Sequence, residues 1–193
     1  MLISLKDLIS EIEDEKLNEL LSSYKCDLDP DIEFFLKSRA VTYEKLSKAR
    51  TYLIVDENDL ASKAIEEITI LGYIALALKV LTVPESISNR MRKEIDGLSA
   101  KIHGEQITAF PVYLIGQLGR NTNVSKDAIS GKELIGYAFD VIQPAIDSVG
   151  GRYILIECHD EERLIQFYSD NQFTAFAKVP DQNRPMVQMI RKV

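Results

Sequence analysis

Residues 111–139 read PVYLIGQLGRNTNVSKDAISGKELIGYAF, and this segment constrains the fold more than any other. The apolar run 112–118 predicts a buried strand, residues 119–130 a polar loop, and the apolar spacing after Gly131 a helix. A strand, a loop and a glycine-led helix point backbone N–H groups at an anion, usually a phosphate, because first-turn amides and the helix dipole both favour negative charge. The alternative is an ordinary strand-to-helix connection. The segment lacks G-x-x-x-x-G-K-[ST] and G-x-G-x-x-G, so it matches neither the P-loop nor the dinucleotide-binding fingerprint.

Length and composition indicate one globular domain, with or without a small extension. The chain has 193 residues, of which 46% are hydrophobic, and no apolar run reaches the ~18 residues of a membrane span. Its acidic N-terminus, MLISLKDLISEIEDE, does not match a signal peptide. Two cysteines (Cys26, Cys158) and two histidines (His103, His159) have no metal-type spacing, which is typical of free thiols in a cytoplasm. We therefore expect a cytoplasmic protein without a membrane span or a metal site.

The net charge of −7 argues against a general nucleic-acid binder, because such domains are usually basic. A local basic patch remains compatible with it. Residues 31–50 carry five positive and three negative side chains, a local net of +2. A solvated helix face is the alternative explanation of those charges.

The remaining patterns predict a mixed sheet with helices on its faces. The predicted helices are 5–23 (as one helix or two), 31–49, 86–98, 160–171 and a helix from 131 that Pro144 kinks or ends. The predicted strands are 51–55, 68–81, 112–118 and 153–158, with 173–179 and 186–190 forming a hairpin across 180–185. We expect residues 1–25 to be an amphipathic helical extension and residues 26–193 to be the main domain, with an insertion or lid at 84–110.

Several stretches resemble the GCN5-related N-acetyltransferases (GNAT family), most closely the bacterial branch that includes acetyltransferase toxins of toxin–antitoxin pairs. The stretches are DPDIEFFLKSRA with ARTYLIV, LGYIALA, PVYLIGQL and ECHDEERLIQFYSDNQF, spread from about residue 26 to the C-terminus. The resemblance implies a GNAT-like mixed, mostly antiparallel twisted sheet with helices on both faces and central strands that splay apart. It also implies an acetyl-CoA-dependent N-acetyltransferase.

The family's coenzyme loop, [QR]-x-x-G-x-[GA], aligns with residues 126–131. Gly131 is retained, whereas Lys126 replaces Gln or Arg and Ile129 replaces the first glycine. The resemblance implies that this loop holds the pyrophosphate of acetyl-CoA and that amides at the end of the preceding strand pair with the pantetheine arm. The implied coenzyme-binding residues are Leu118, Gly119, Lys126, Asp127, Ala128, Ile129, Ser130, Gly131 and Lys132.

The resemblance also assigns catalytic roles. Tyr168 matches the family's general acid, and a phenol of ordinary pKa, ~10, is protonated at neutral pH. Packing is the alternative role, because Tyr168 shares a helical face with Leu164 and Phe167. Glu157 and His159 are the candidates for a base acting through water, and we assign Glu157 as the catalytic residue. Cys158 is a weaker candidate, as a nucleophile.

The sequence does not identify the molecule that accepts the acetyl group. One alternative is a small amine or a protein amino group, and another is the amino group of a charged tRNA. A tRNA-binding rim would draw on seven cations: Arg39, Lys45, Lys48, Arg50, Arg90, Arg92 and Lys93. A degenerate binding module without catalysis and a purely structural interaction protein are further alternatives. An antitoxin, tRNA or a second copy in a homodimer are the partners that these alternatives imply.

Overall fold

The computed structural model describes residues 1–179 and 184–193. The chain forms two compact units: Met1–Ala77 with Ile115–Gln143, and Leu78–Leu114 with Pro144–Val193. Among the described residues, no helix is long and apolar enough to cross a membrane.

The first unit contains four short helices and the strands that they cover. Its elements in chain order are β1 Leu2–Ser4, α1 Leu5–Glu11, α2 Asp14–Ser22, α3 Pro30–Ser38, α4 Ala40–Lys45, β2 Arg50–Val55, part of β3 Ile70–Thr82, part of β6 Ala109–Arg120 and most of α6 Gly131–Val149. The strands lie in the order β1, β2, β3, β6, and β2 pairs antiparallel with both β1 and β3. Helical leucines and strand residues such as Leu53, Val55 and Tyr73 form one buried cluster. That cluster is the core on which the end of β6 rests.

The second unit contains the insertion and the strands that follow α6. Its elements are the remaining parts of β3, β6 and α6, together with α5 Asn89–Asp96, β4 Lys101–Ile102, β5 Glu105–Gln106, β7 Tyr153–His159, α7 Glu162–Asp170, β8 Thr174–Val179 and β9 Met186–Lys192. The strands lie in the order β3, β6, β7, β9, β8. Strand β9 pairs antiparallel with β7 and with β8, as the predicted hairpin requires. Its predicted turn, 180–185, lies largely outside the described residues.

The insertion 84–110 is a helix followed by a small hairpin. Ser88 caps α5 by accepting a hydrogen bond from the Met91 amide, and Gly97 ends the helix with a φ of 91°. The hairpin β4–β5 turns at His103 and Gly104, whose φ angles of 51° and 86° fit a two-residue turn of type I′. Arg92 is buried, only 2% exposed, and its guanidinium donates to the carbonyls of Ile87, Ile107, Pro84 and Glu85. One side chain therefore ties the two ends of the insertion together.

The structure corrects one predicted helix and adds strands that the sequence analysis missed. The predicted helix 31–49 is two helices, α3 and α4, which meet at Arg39. Strands β1, β4 and β5 were not predicted. Of the two alternatives for Pro144, a kink or an end of the helix, the end is excluded, because α6 continues to Val149. The other predicted helices and strands are present, with shifted ends.

Candidate functional site

Gly119 lies buried near the end of β6, under side chains from the helical layer of the first unit. A Cβ atom at this position would collide with the side chains of Ile32 and Tyr24. The neighbours are fixed in turn, because the Tyr24 hydroxyl donates to the Arg120 carbonyl (3.3 Å) and the Tyr73 hydroxyl donates to the Ile32 carbonyl (2.6 Å). Packing alone therefore demands glycine here, whatever the Gly119 amide binds. Leu118, beside it, is half-buried.

The loop after β6 starts from Asn121, a buried residue that the sequence analysis did not single out. Its Nδ2 donates to the Ile70 carbonyl (2.7 Å), and its Oδ1 accepts from the amides of Lys25 (3.2 Å) and Asn123 (2.9 Å). The bond to the amide two residues on is an Asx turn, which asparagine favours. That preference was the one available signal, since the other partners are distant in sequence. Asn121 fixes where the loop leaves the sheet.

The start of α6 is closed by a reciprocal hydrogen-bonded pair, Ser130 and Glu133. The Ser130 hydroxyl oxygen accepts from the Glu133 amide (3.2 Å), and a Glu133 carboxylate oxygen accepts from the Ser130 amide (2.8 Å). This is the capping box S-x-x-E. The bonds from the Ser130 hydroxyl and amide hold the pKa of Glu133 below its usual range. The sequence contains the signature, but the analysis above did not use it.

The amides of the predicted coenzyme loop divide into two sets. Those of Asp127 and Ala128 bond to Ser125, and that of Ser130 bonds to Glu133. Within residues 1–179 and 184–193, no protein acceptor pairs with the amides of four residues: Lys126, Ile129, Gly131 and Lys132. The side chains of Lys126 and Lys132 are exposed cations. Free amides at the first turn of a 19-residue helix, flanked by two lysines, fit an anion such as a pyrophosphate.

Ile129 occupies the position of a family glycine without a glycine conformation. The non-glycine residues with positive φ in the described chain are Ser47, His103 and Gln172, none of them in this loop. The Ile129 side chain is 3% exposed, so it is buried rather than directed at solvent. The substitution therefore costs no backbone strain, and it anchors the loop.

In the second unit, Tyr168 is held by the end of α7. Phe173 donates its amide to the Tyr168 carbonyl (3.0 Å) and Gln172 donates to the Ser169 carbonyl (2.9 Å), which together form a Schellman motif. The rings of Tyr168 and Phe173 meet edge to face with centroids 6.0 Å apart, and the ring centroids of Phe167 and Tyr168 are 5.0 Å apart. The ring of Tyr168 is thus buried and fixed in place. Its role as general acid stays a prediction.

Both carboxylate oxygens of Glu157 already accept hydrogen bonds. Lys79 Nζ lies 2.6 Å from one oxygen, and Gln188 Nε2 lies 2.8 Å from the other. The pair Lys79–Glu157 is partly exposed, with side-chain exposures of 36% and 27%. Sequence reasoning missed both partners, because Gln188 meets Glu157 through the β7–β9 register and Lys79 comes from β3, two strands away in the sheet.

Cys158 does not have the environment of a nucleophile. The side chain is buried, and burial, reinforced by the negative charges of Asp160 and Glu161, raises the pKa of its thiol to about 11. Little thiolate exists at neutral pH under those conditions. The structural role, a small buried side chain, fits Cys158 better.

Two arginines of the predicted basic rim interact with other parts of the protein. Arg92 is buried in the insertion and cannot contribute to a surface rim. Arg50 lies 2.7 Å from the buried carboxylate of Glu44, which also accepts from the Thr51 amide. The prediction that Arg92 belongs to a rim is therefore wrong.

The sheet order, the flanking helices and the capped helix after β6 define a fold of the GCN5-related N-acetyltransferase type, and the expected fold class is confirmed. No family model matches the chain, and no curated protein matches it. Among solved structures, a tyrosine-to-phenylalanine mutant of KacT superposes with a TM-score of 0.67 at 17% identity, over 97% of this chain and 92% of that one.

Two further structures similar to this chain contain ligands. AtaT complexed with acetyl-methionyl-tRNAfMet has a TM-score of 0.65 at 16% identity, with 97% of this chain and 92% of that chain covered. AtaTR bound with AcCoA has a TM-score of 0.65 at 18% identity, with 97% and 91% covered. At such identities the likeness establishes the fold, and it extends over nearly the whole chain.

Proposed function

We propose that this protein is an acetyl-CoA-dependent N-acetyltransferase that acts on a primary amine. The observation that carries the proposal is the start of α6, where four amides have no acceptor within the described chain and two lysines stand beside them. Similarity in fold to AtaTR bound with AcCoA supports the same ligand. When bound, acetyl-CoA supplies an activated acetyl group and an anionic pyrophosphate.

Each predicted site residue has a role in this proposal. Within the loop 126–131 and the start of α6, the unpaired amides of Lys126, Ile129, Gly131 and Lys132 hold the pyrophosphate, and the two lysine side chains offset its charge. The amides of Leu118 and Gly119 pair with an extended amide-bearing arm, as a strand edge does.

Proton transfer is assigned to two side chains. Tyr168 acts as the general acid, since a phenol of ordinary pKa carries a proton to donate at neutral pH. Glu157 is the candidate base, acting through water. Lys79 and Gln188 each donate to one of its oxygens, and each oxygen keeps a second lone pair that can accept from that water.

A second candidate acceptor is the amino group of an aminoacyl-tRNA. AtaT complexed with acetyl-methionyl-tRNAfMet, which shares the fold, favours it. An antitoxin is then the expected protein partner, because another similar structure is AtaT bound to the C-terminus of the antitoxin AtaR and acetyl-CoA. A cytoplasmic location and a homodimer belong to the same proposal.

The substitution Gly131→Pro tests the amides directly. Proline at the first position of a helix removes the N–H group but keeps the helix, because its fixed φ suits that position. We expect the affinity for acetyl-CoA, measured by isothermal titration, to fall about 10-fold, the worth of one charge-assisted hydrogen bond. The melting temperature without ligand should not fall.

The matched control is Asp14→Pro, which makes the same change at the first residue of α2. It should leave acetyl-CoA binding unchanged. An unchanged affinity in Gly131→Pro would contradict the amide assignment. If the wild-type protein gave no heat and no thermal shift with acetyl-CoA, the enzyme proposal would fail.

The substitution Tyr168→Phe tests the general acid. It removes the proton donor and keeps the ring that packs on Phe167 and Phe173. We expect kcat with a confirmed acceptor to fall on the order of 100-fold or more while acetyl-CoA affinity stays the same. Unchanged turnover would show that Tyr168 only packs. A wild-type protein that binds acetyl-CoA but acetylates neither amines nor aminoacyl-tRNA would be a degenerate binding module.

A further inference from the structure

The second unit contains an open pocket of about 300 Å³ that takes no part in the roles assigned above. Its wall is formed by α5 with Gly97 and by one end of the β7–β9 pair, where β7 begins and β9 ends. The lining residues are Arg90, Lys93, Glu94, Gly97, Arg152 and Lys192. All six belong to the second unit, whereas the loop 126–131 belongs to the first.

The wall of this pocket is held by specific hydrogen bonds. The Arg152 guanidinium lies against Gly97, where an added Cβ would have to displace it, and its Nη1 donates to the Ile95 carbonyl (3.2 Å). The Tyr153 hydroxyl donates to the Glu94 carbonyl (3.1 Å). Tyr153 stands opposite Lys192 in the β7–β9 register. The cationic groups are therefore mounted on paired strands and a capped helix.

The lining has four cations and one carboxylate, a local net of +3 in a chain whose net charge is −7. In the part of the chain that the structure describes, none of the four cations lies within ion-pair distance of a carboxylate. The C-terminal end of α5 favours positive charge, which accounts for a cation such as Lys93 near that end. It does not account for Lys192, which comes from another element.

We propose that this pocket binds the phosphodiester backbone of a structured RNA. The planar fork of an arginine matches two phosphate oxygens, and lysines add point charge to the same anion. The pocket is open rather than enclosed, so a continuous polymer can pass through it. The inference rests on the proposed function in its aminoacyl-tRNA form, and it adds where the RNA backbone is held.

Coenzyme A also carries phosphates, so it is a second ligand that the same cations could bind. Substitutions in the pocket distinguish the two ligands by which binding affinity they lower. If the pocket holds RNA, its lysines affect RNA binding and leave acetyl-CoA binding unchanged. If it holds a coenzyme phosphate, the opposite result is expected.

The test compares two double variants of the full chain. Lys93→Gln with Lys192→Gln removes two charges from the pocket. Lys6→Gln with Lys16→Gln removes two exposed charges from α1 and α2 and changes the net charge equally. Binding of a fluorescein-labelled RNA hairpin with a single-stranded 3′ end is measured by anisotropy from about 50 to 200 mM salt. Over this range the affinity falls steeply with the number of phosphate contacts.

For the pocket variant we expect an affinity lower on the order of 10-fold at about 0.1 M salt, and a slope of log K against log salt smaller by about 2. The control variant should keep the wild-type slope, and both variants should bind acetyl-CoA as the wild type does. If both variants lost RNA affinity equally, the loss would come from the change in net charge, and the inference would be overturned. Unchanged RNA binding in the pocket variant would also overturn it. Lost acetyl-CoA binding in the pocket variant would assign the pocket to the coenzyme.

Failure of the inference is distinguishable from failure of the proposed function. Wild-type protein that acetylates an amine but does not bind the hairpin overturns the inference alone. Wild-type protein that binds the hairpin through Lys93 and Lys192 but not acetyl-CoA overturns the proposed function alone.

Discussion

Gln172 occupies a backbone position that normally takes glycine. It follows α7 with a φ of 68° and supplies one of the two hydrogen bonds that end the helix below Tyr168. Glycine is the usual residue at this point of a Schellman motif, because the residue after the helix cap adopts the left-handed conformation. A side chain there costs roughly 1–2 kcal/mol.

We predict that Gln172→Gly raises the free energy of unfolding by about 0.5–1 kcal/mol, since relief of the left-handed strain exceeds the entropy that glycine adds to the unfolded chain. Thermal unfolding would show a rise of about 1–4 °C. Gln166→Gly, in the middle of the same helix, is the control and should destabilise by about 1 kcal/mol. A lower melting temperature for Gln172→Gly would mean that the Gln172 side chain makes a stabilising contact.

Single residues differ in how far the sequence alone predicts them. The pair Ser130 and Glu133 was predictable, because a capping box is local and has a fixed spacing. Gly119 was predicted as a coenzyme contact, but its need for glycine comes from Tyr24, 95 positions away, which no local pattern reveals. Arg92 was misread as a surface cation because no local pattern shows that its guanidinium meets carbonyls at both ends of the insertion, those of Pro84 and Ile107.

At the scale of elements, the insertion depends on Arg92. Its guanidinium lies among backbone carbonyls, with no carboxylate in ion-pair range among the described residues. We predict that Arg92→Lys lowers the free energy of unfolding by about 3 kcal/mol. An ammonium cannot reach carbonyls on several sides at once, and the unmatched groups stay buried.

Urea unfolding measures this loss, and Arg90→Lys, two residues earlier on the exposed face of α5, is the control. The control should stay within about 0.5 kcal/mol of the wild type. Equal stability of the two variants would show that the insertion is held mainly by its apolar contacts, such as those of Ile95 and Ile107.

Elements with long apolar runs were predicted well, and those set by tertiary partners were not. Strands β6 and β7 follow from their own composition. Strand β1 has three residues and exists because Leu2 to Ser4 pair with Tyr52 to Ile54, a partner outside any local window. Helix α6 continues beyond Pro144 to Val149. Pro144 is exposed, and a proline removes only one backbone hydrogen bond from the helix.

At the scale of the whole molecule, composition limited the answer without deciding it. A net charge of −7 disfavours a general nucleic-acid binder, yet the described chain gathers four cations around one pocket. The two compact units are each discontinuous in sequence, so the predicted division into an extension 1–25 and a domain 26–193 could not anticipate them. Segment composition predicts which residues are buried and leaves open which distant segments they meet.

The N-terminal segment gives the last prediction. It carries five leucines that are at most 4% exposed in the core of the first unit: Leu5, Leu8, Leu17, Leu20 and Leu21. At about 2 kcal/mol for each buried leucine, their removal costs about 10 kcal/mol, as much as the entire stability of a typical domain. Deletion of residues 1–23 should therefore abolish cooperative thermal unfolding followed by circular dichroism, whereas Lys16→Ala, on the exposed side of α2, should leave the melting temperature within about 2 °C of the wild type. A core that has lost these leucines cannot keep its stability. A truncated chain that still melted cooperatively at the wild-type temperature would therefore show that residues 1–25 are a separable extension and not part of the core.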